Sequence, residues 1–209
     1  MTDRKKALLE SAVRTIARKG VRGLRVEEVA KDAGVSVALI YHHFGDRSGL
    51  LKSALLYIEQ RADEYTLPVA ATTAREELVA TVLGEIQDTQ EVRDNSAAWG
   101  ELRDAAIFDT DLRPTLADLT RQWNNDLADI VRRGQQDGSI PAEANPDDTG
   151  QRLTALTEGL SSRWLAGLLS TGEARSLLED AVTHELEGAQ RAATSSRSTH
   201  PKRERAAPP

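Results

Sequence analysis

Residues 26–44 read VEEVAKDAGVSVALIYHHF. Ala30 is a small side chain placed where two helices must cross closely. Gly34 follows four residues later and can take the positive φ of a tight turn without a Cβ penalty. Ser36 stands where it can cap the next helix by accepting an orphan N–H. Ile40, six residues after the glycine, points back to lock the second helix onto the first. Small residue, turn glycine and branched apolar anchor at these offsets read as a helix-turn-helix. An αα-hairpin inside any helical bundle can also carry Ala and Gly there, so the surrounding charge has to be weighed with the motif.

That charge is uneven. Residues 1–62 hold 12 Lys/Arg against 7 Asp/Glu, residues 63–193 hold 11 against 25, and residues 194–209 hold 4 against 1. The whole chain of 209 residues carries a net charge of −6. A cationic head on an acidic body suits a head that meets a polyanion and a body that repels it. There are no cysteines, which removes a disulfide framework, thiolate catalysis and thiolate-held metals, and fits a reducing cytosol. The N-terminus, MTDRKKALLESAV, has no apolar stretch behind its positive charges and does not read as a signal peptide. No apolar run approaches the ~20 residues that span a bilayer. The expectation is a cytoplasmic protein with no membrane partner.

Outward from the motif the pattern is helical throughout, with apolar residues recurring at spacings of three and four. Leu9, Ala12, Val13 and Ile16 form one stripe, ended by Gly20 and Gly23. Val26, Val29, Ala30 and Ala33 form a second, Val37, Ile40, Tyr41 and Phe44 a third, and Leu50 to Ile58 a fourth that stops before Pro68. Further helices are expected around Leu78–Ile86, Trp99–Ala106 and Leu116–Ile130, then over 149–169 and 171–189. Loops fall at 66–68, 109–111 and 138–146. The fold class is all-α, with about nine helices. A helix-turn-helix domain is expected over 1–62, a larger helical effector-binding and dimerisation domain over 63–193, and a disordered tail over 194–209, which has no apolar pattern.

Residues 1–62 resemble the DNA-binding domain of the TetR family of transcriptional regulators. The resemblance rests on Ile16-Ala17, Gly20, Val29-Ala30, Ala33-Gly34-Val35-Ser36, Tyr41, His43-Phe44 and Leu50-Leu51. The stretch from Trp123 to about Leu186 looks like the C-terminal domain of BetI-type repressors. The resemblance implies that the third helix enters a major groove of double-stranded DNA, with its leading residues meeting base edges. Ser36, Val37, Ala38 and Leu39 occupy that leading turn. Apolar side chains can read thymine methyls but cannot form bidentate hydrogen bonds, and here the family more often shows Gly or Pro followed by Thr or Ser. Base hydrogen bonds are therefore expected from His42 or Arg25, and by analogy Tyr41 takes a phosphate. Arg47 sits where the family commonly has a phosphate-binding Lys, at a helix start that favours an anion. Lys5 and Lys6 are further candidates. Arg25 replaces the usual Thr or Ser cap, and Gly49 inside the fourth helix costs ~1 kcal/mol against Ala with no function apparent in the sequence. His42 and His43 lack a third ligand at metal spacing, so no metal site is expected.

One head offers few base contacts. A homodimer would place two reading helices ~34–36 Å apart on a near-palindromic operator, and the resemblance places the dimer contact on the last two helices, packed as a four-helix bundle. Trp99, Trp123 and Trp164 sit on the apolar stripes of three different helices. They can line one effector cavity, joined by Phe108 and Tyr65, with Arg103, Asp126 and Glu158 to orient a ligand; the alternative is that each Trp is core. The acidic body favours a neutral or cationic small-molecule effector. Ligand binding would then shift the spacing of the two heads and release DNA, as a repressor does. A DNA-binding regulator without a small-molecule effector, partnered by a protein or acting as an activator, is the alternative, and a sealed core would favour it. No P-loop, GxSxG or HExxH motif occurs, so no catalytic residue and no cofactor are expected.

Overall fold

The computed structural model describes residues 3–66 and 71–198. Among them it contains nine helices: α1 (Asp3–Gly23), α2 (Val26–Asp32), α3 (Val37–Phe44), α4 (Arg47–Thr66), α5 (Ala74–Gly84), α6 (Gln90–Ala105), α7 (Arg113–Asp137), α8 (Pro146–Leu165) and α9 (Thr171–Ser198). The expected all-α class holds. The loop expected at 66–68 falls mostly on residues outside those described.

Local chemistry sets most helix starts. The side chains of Ser36, Thr73, Thr89 and Asn145 accept N–H groups from the first turns of α3, α5, α6 and α8, satisfying donors that a helix leaves orphaned. Arg25 precedes α2 with no side-chain cap, and Glu27 and Glu28 put negative charge in the first turn instead. Gly34 takes φ 66° at the turn between α2 and α3, and Ile40 is buried beneath it. A buried serine, Ser11, donates from Oγ to the Val29 carbonyl and ties α1 to α2.

Two cores form. The first joins Leu8, Ile16, Ile40, Leu50, Leu51 and Leu55 of the first four helices to Ala98, Leu102 and Ala106 from α6 and its end, with Leu112 and Leu119. The second joins Leu78, Leu127, Leu153, Leu178 and Val182 of α5, α7, α8 and α9. Apolar periodicity assigns a face to each helix but not the neighbour it meets. Thus the boundary expected at 62/63 falls inside continuous α4, and the head completes its core with α6. Helix α9 also runs to Ser198, into the stretch read as tail. Extending a formed helix costs far less than nucleating one, so residues 194–198 need no apolar pattern to continue it. The rest of that stretch lies outside the described residues.

Candidate DNA-reading head and effector cavity

The head presents α3 on its surface. Ala38, Tyr41 and His42 are exposed, with Tyr41 44% accessible, while Ile40 and Phe44 anchor the opposite face. Leu39 is half-buried, and Val37 packs against the head's core rather than standing free. Ser36 spends its Oγ on the Leu39 N–H at 3.3 Å. Arg25 and Lys6 are exposed, and the Lys5 ammonium lies 5.8 Å from the Phe44 ring centroid, close enough for a weak cation–π attraction. Arg47 begins α4 on the exposed surface, but its Nη2 donates to the Val21 carbonyl at the end of α1. Two basic residues are held internally: Arg14 pairs with Asp32 at 2.6 Å and Lys19 with Glu28 at 2.7 Å, both binding α1 to α2.

Gly49 has a steric role. A Cβ there would lie 2.0 Å from the Phe44 carbonyl oxygen. The Gly49 N–H donates to Asp46 Oδ1 at 2.7 Å, so Asp46 caps α4 while the end of α3 crosses over residue 49. The helix-propensity cost is the condition for this close turn.

Below the head lies a cavity of about 500 Å³ between α4, α5, α6, α7 and α8. Its walls include Trp99, Trp123, Arg103, Asp126 and Glu158 of the expected set, together with Tyr65. Trp99 Nε1 donates to Glu158 Oε1 at 2.8 Å, and Arg103 stands 3.5 Å from the other Glu158 oxygen. Asn95 donates to Tyr65 Oη at 3.2 Å and to the Ile58 carbonyl at 3.1 Å, holding the phenol against the wall.

Two expected cavity residues do not line it. Trp164 is 2% exposed in the second core, its Nε1 donating to Thr171 Oγ1 and its face covered by the Arg93 guanidinium 4.6 Å from the ring centroid. Its ring is already packed and its only polar atom already bonded. Phe108 is 79% exposed in the connection after α6, beyond the last turn that faces the body.

The sequence reading missed Glu59, Asp63 and Glu85, which also line the cavity. Burial, reinforced by Asp63 and Asp126, pushes the Glu59 carboxyl up to about 7. Burial, with Glu59 and Asp63 nearby, pushes Glu85 up to about 8. Asp63 and Asp126, though exposed at the cavity's edge, are also raised by partial desolvation, the latter further through Asp63 and Asp129. Desolvation and like-charge repulsion both disfavour the ionised form. A signal was present: Glu85 caps the C-terminal end of α5, where the helix dipole opposes a carboxylate. Glu59 and Asp63 stand one turn apart on α4, a like-charge pair that an isolated helix avoids.

The cavity touches the head directly. Glu101, on the same helix as Trp99 and Arg103, accepts the Val21 N–H at 3.1 Å through Oε2. Val21 follows the kink at Gly20 in α1, and its carbonyl receives Arg47. A cationic helix-turn-helix head joined through a shared core to a helical body with its own cavity defines a DNA-binding transcriptional regulator.

Residues 8–54 match the tetR family of bacterial regulatory proteins, and residues 74–187 match the C-terminal domain of BetI-type transcriptional repressors. The chain therefore belongs to the TetR family of transcriptional regulators, which are not enzymes, and its C-terminal domain is of the BetI type. It is 29% identical over 184 residues to the HTH-type transcriptional regulator BetI of Agrobacterium fabrum, covering 85% of each chain. A structure from Rhodococcus sp. described as a TetR-family transcriptional regulator is 44% identical, with a TM-score of 0.85 over 89% of this chain and 100% of that one. A transcriptional regulator from Saccharomonospora viridis in complex with choline is 28% identical, with a TM-score of 0.74 over 86% of this chain and 95% of that one. No helix among the described residues is long and apolar enough to cross a membrane.

Proposed function

We propose that the protein is a homodimeric repressor that grips a near-palindromic operator and is released from it by a small organic cation. The observation that carries this reading is the cavity's construction. Aromatic faces and an excess of carboxyl groups line one volume, and α6 connects its wall to the end of α1. Aromatic faces attract cations, and carboxylates with no counter-charge repel anions. The choline bound to the Saccharomonospora relative makes a quaternary ammonium the first ligand to test. A regulator with no small-molecule effector would suit a sealed core, and the cavity counts against it.

In the head, Ala38 is placed to meet a base edge, Tyr41 and Arg47 to hold phosphates, and His42 or Arg25 to supply base hydrogen bonds. Lys5 and Lys6 extend the positive surface, and Ser36 keeps the reading helix capped. In the body, Trp99, Trp123, Asp126 and Glu158 meet the ligand, with Arg103 holding Glu158. Dimerisation falls to α8 and α9, where Leu156 and Leu177 remain exposed and Gly159 and Gly188 face open space. Apolar residues beside small ones let a partner helix approach closely.

The test is selection of bound duplexes from random DNA, followed by titration of the selected operator complex with choline. A two-fold symmetric site that is released as tryptophan fluorescence changes supports the reading. Retention of DNA at saturating choline and at saturating primary amine, or no duplex retarded at low ionic strength, overturns it.

A further inference from the structure

The cavity presents more carboxyl groups than a single cation can engage. Among the described residues, no hydrogen bond or ion pair engages the side-chain carboxylates of Glu59, Asp63, Glu85 or Asp126. The cavity's two guanidinium groups are already committed: Arg103 to Asp104 and Glu158, and Arg133 to Glu77 at 2.6 Å. Glu85 is half-buried and lines this space, with no hydrogen bond or ion pair to its carboxyl group. These carboxyl groups come from separate walls, Glu59 and Glu85 half-buried, Asp63 and Asp126 on the solvent-exposed side. Glu59 and Asp63 lie about 6 Å apart along α4, Asp126 comes from α7, and Glu85 from the end of α5.

A quaternary ammonium carries one charge and no N–H to give. It can rest on an aromatic face beside one carboxylate but donates no hydrogen bond to any of them. A metal ion would need converging ligands, and among the described residues no group of three or more His, Cys, Asp or Glu is disposed to hold one. The volume falls within the range of ~300–1,000 Å³ that suits an extended ligand. Its aromatic faces, Tyr65, Trp99 and Trp123, can cover an alkyl chain.

We infer that the effector is an elongated organic polycation, with primary or secondary ammonium groups at both ends of an alkyl chain that donate N–H to carboxylates on different walls. The Glu59–Asp63 pair takes one end, Glu85 or Asp126 the other, and the methylenes lie against the aromatic rings. The inference rests on the cationic-effector reading and narrows it.

Isothermal titration of the full chain with putrescine, cadaverine, spermidine, n-butylamine and choline, alongside tryptophan fluorescence, tests it. The best diamine or triamine should bind at least about tenfold more tightly than n-butylamine and choline. Glu85→Gln combined with Asp126→Asn removes the carboxylates of one end and should reduce that advantage to about twofold or less. Equal affinity for n-butylamine and the polyamines, or tighter binding of choline than of any polyamine, overturns the inference but leaves a cationic effector standing. A polyamine preference that survives the double substitution overturns it by placing the amine elsewhere. No binding and no fluorescence change with all five overturns both this inference and the reading beneath it.

Discussion

The carbonyl of Phe44 occupies the space that a β-carbon on residue 49 would need. Replacing Gly49 with Ala gains about 1 kcal/mol of helix propensity but forces a backbone shift costing about 1–3 kcal/mol. The expected result is a lower urea midpoint. Gly100→Ala is the control, because its β-carbon would meet nothing within 4 Å; it should leave the midpoint level or raise it. The cavity acids make a second residue-scale prediction. Glu59 and Glu85 bind protons more strongly in the folded chain, at about 7 and about 8, than in the unfolded chain near 4.5. Their contribution to the ligand-free protein is fully present below about pH 4.5 and is lost as pH rises through 7 and 8. The readout is the difference between variant and parent. Glu59→Gln with Glu85→Gln should give a melting temperature that falls less than the parent's between pH 5 and pH 9, and parallel curves would contradict the assignment.

At the scale of elements, the helices were legible because a buried stripe must repeat every three or four residues. Even the motif's details follow from local rules: Ser36 caps α3, Gly34 turns, and Ile40 is buried. What stayed hidden depends on contacts distant in sequence. Trp164 shares the apolar spacing of Trp99 and Trp123, and only its packing within the second core, with Arg93 over its ring, distinguishes it from a cavity wall. Gly49 reads as a flaw until the end of α3 is placed above it. Glu59, Asp63 and Glu85 lie on two separate helices, and their shared field exists only after α4 and α5 meet. Helix α6 was recognisable as a helix, yet its membership in the head's core was not. Glu101 on that helix tests the coupling. Glu101→Leu removes the acceptor for the Val21 N–H, whereas Glu101→Gln retains one. The Leu variant should still change tryptophan fluorescence on binding a cation but need several-fold more ligand to release operator. The Gln variant should stay near the parent, and identical release curves for both would exclude this route.

At the scale of the whole molecule, the proposed reader works only as a pair. Leu156 and Leu177 lie exposed on α8 and α9, so introducing Glu at both buries like charge across a two-fold contact. Sedimentation should then report monomers, with operator affinity reduced by two orders of magnitude or more as one head is lost. A dimer that persists in the double variant would move the contact elsewhere.

The sharing of α6 between the cores has a consequence for anyone recombining such proteins. A reading head cut at residue 62 and grafted onto a foreign body would arrive with an oily socket shaped for Ala98, Leu102 and Ala106. Unless the recipient offered side chains of matching size in that socket, the transplant would be loose at the hinge where instructions must pass. Swapping of specificities is therefore constrained: the piece that travels intact includes the crossing helix as well as the first four.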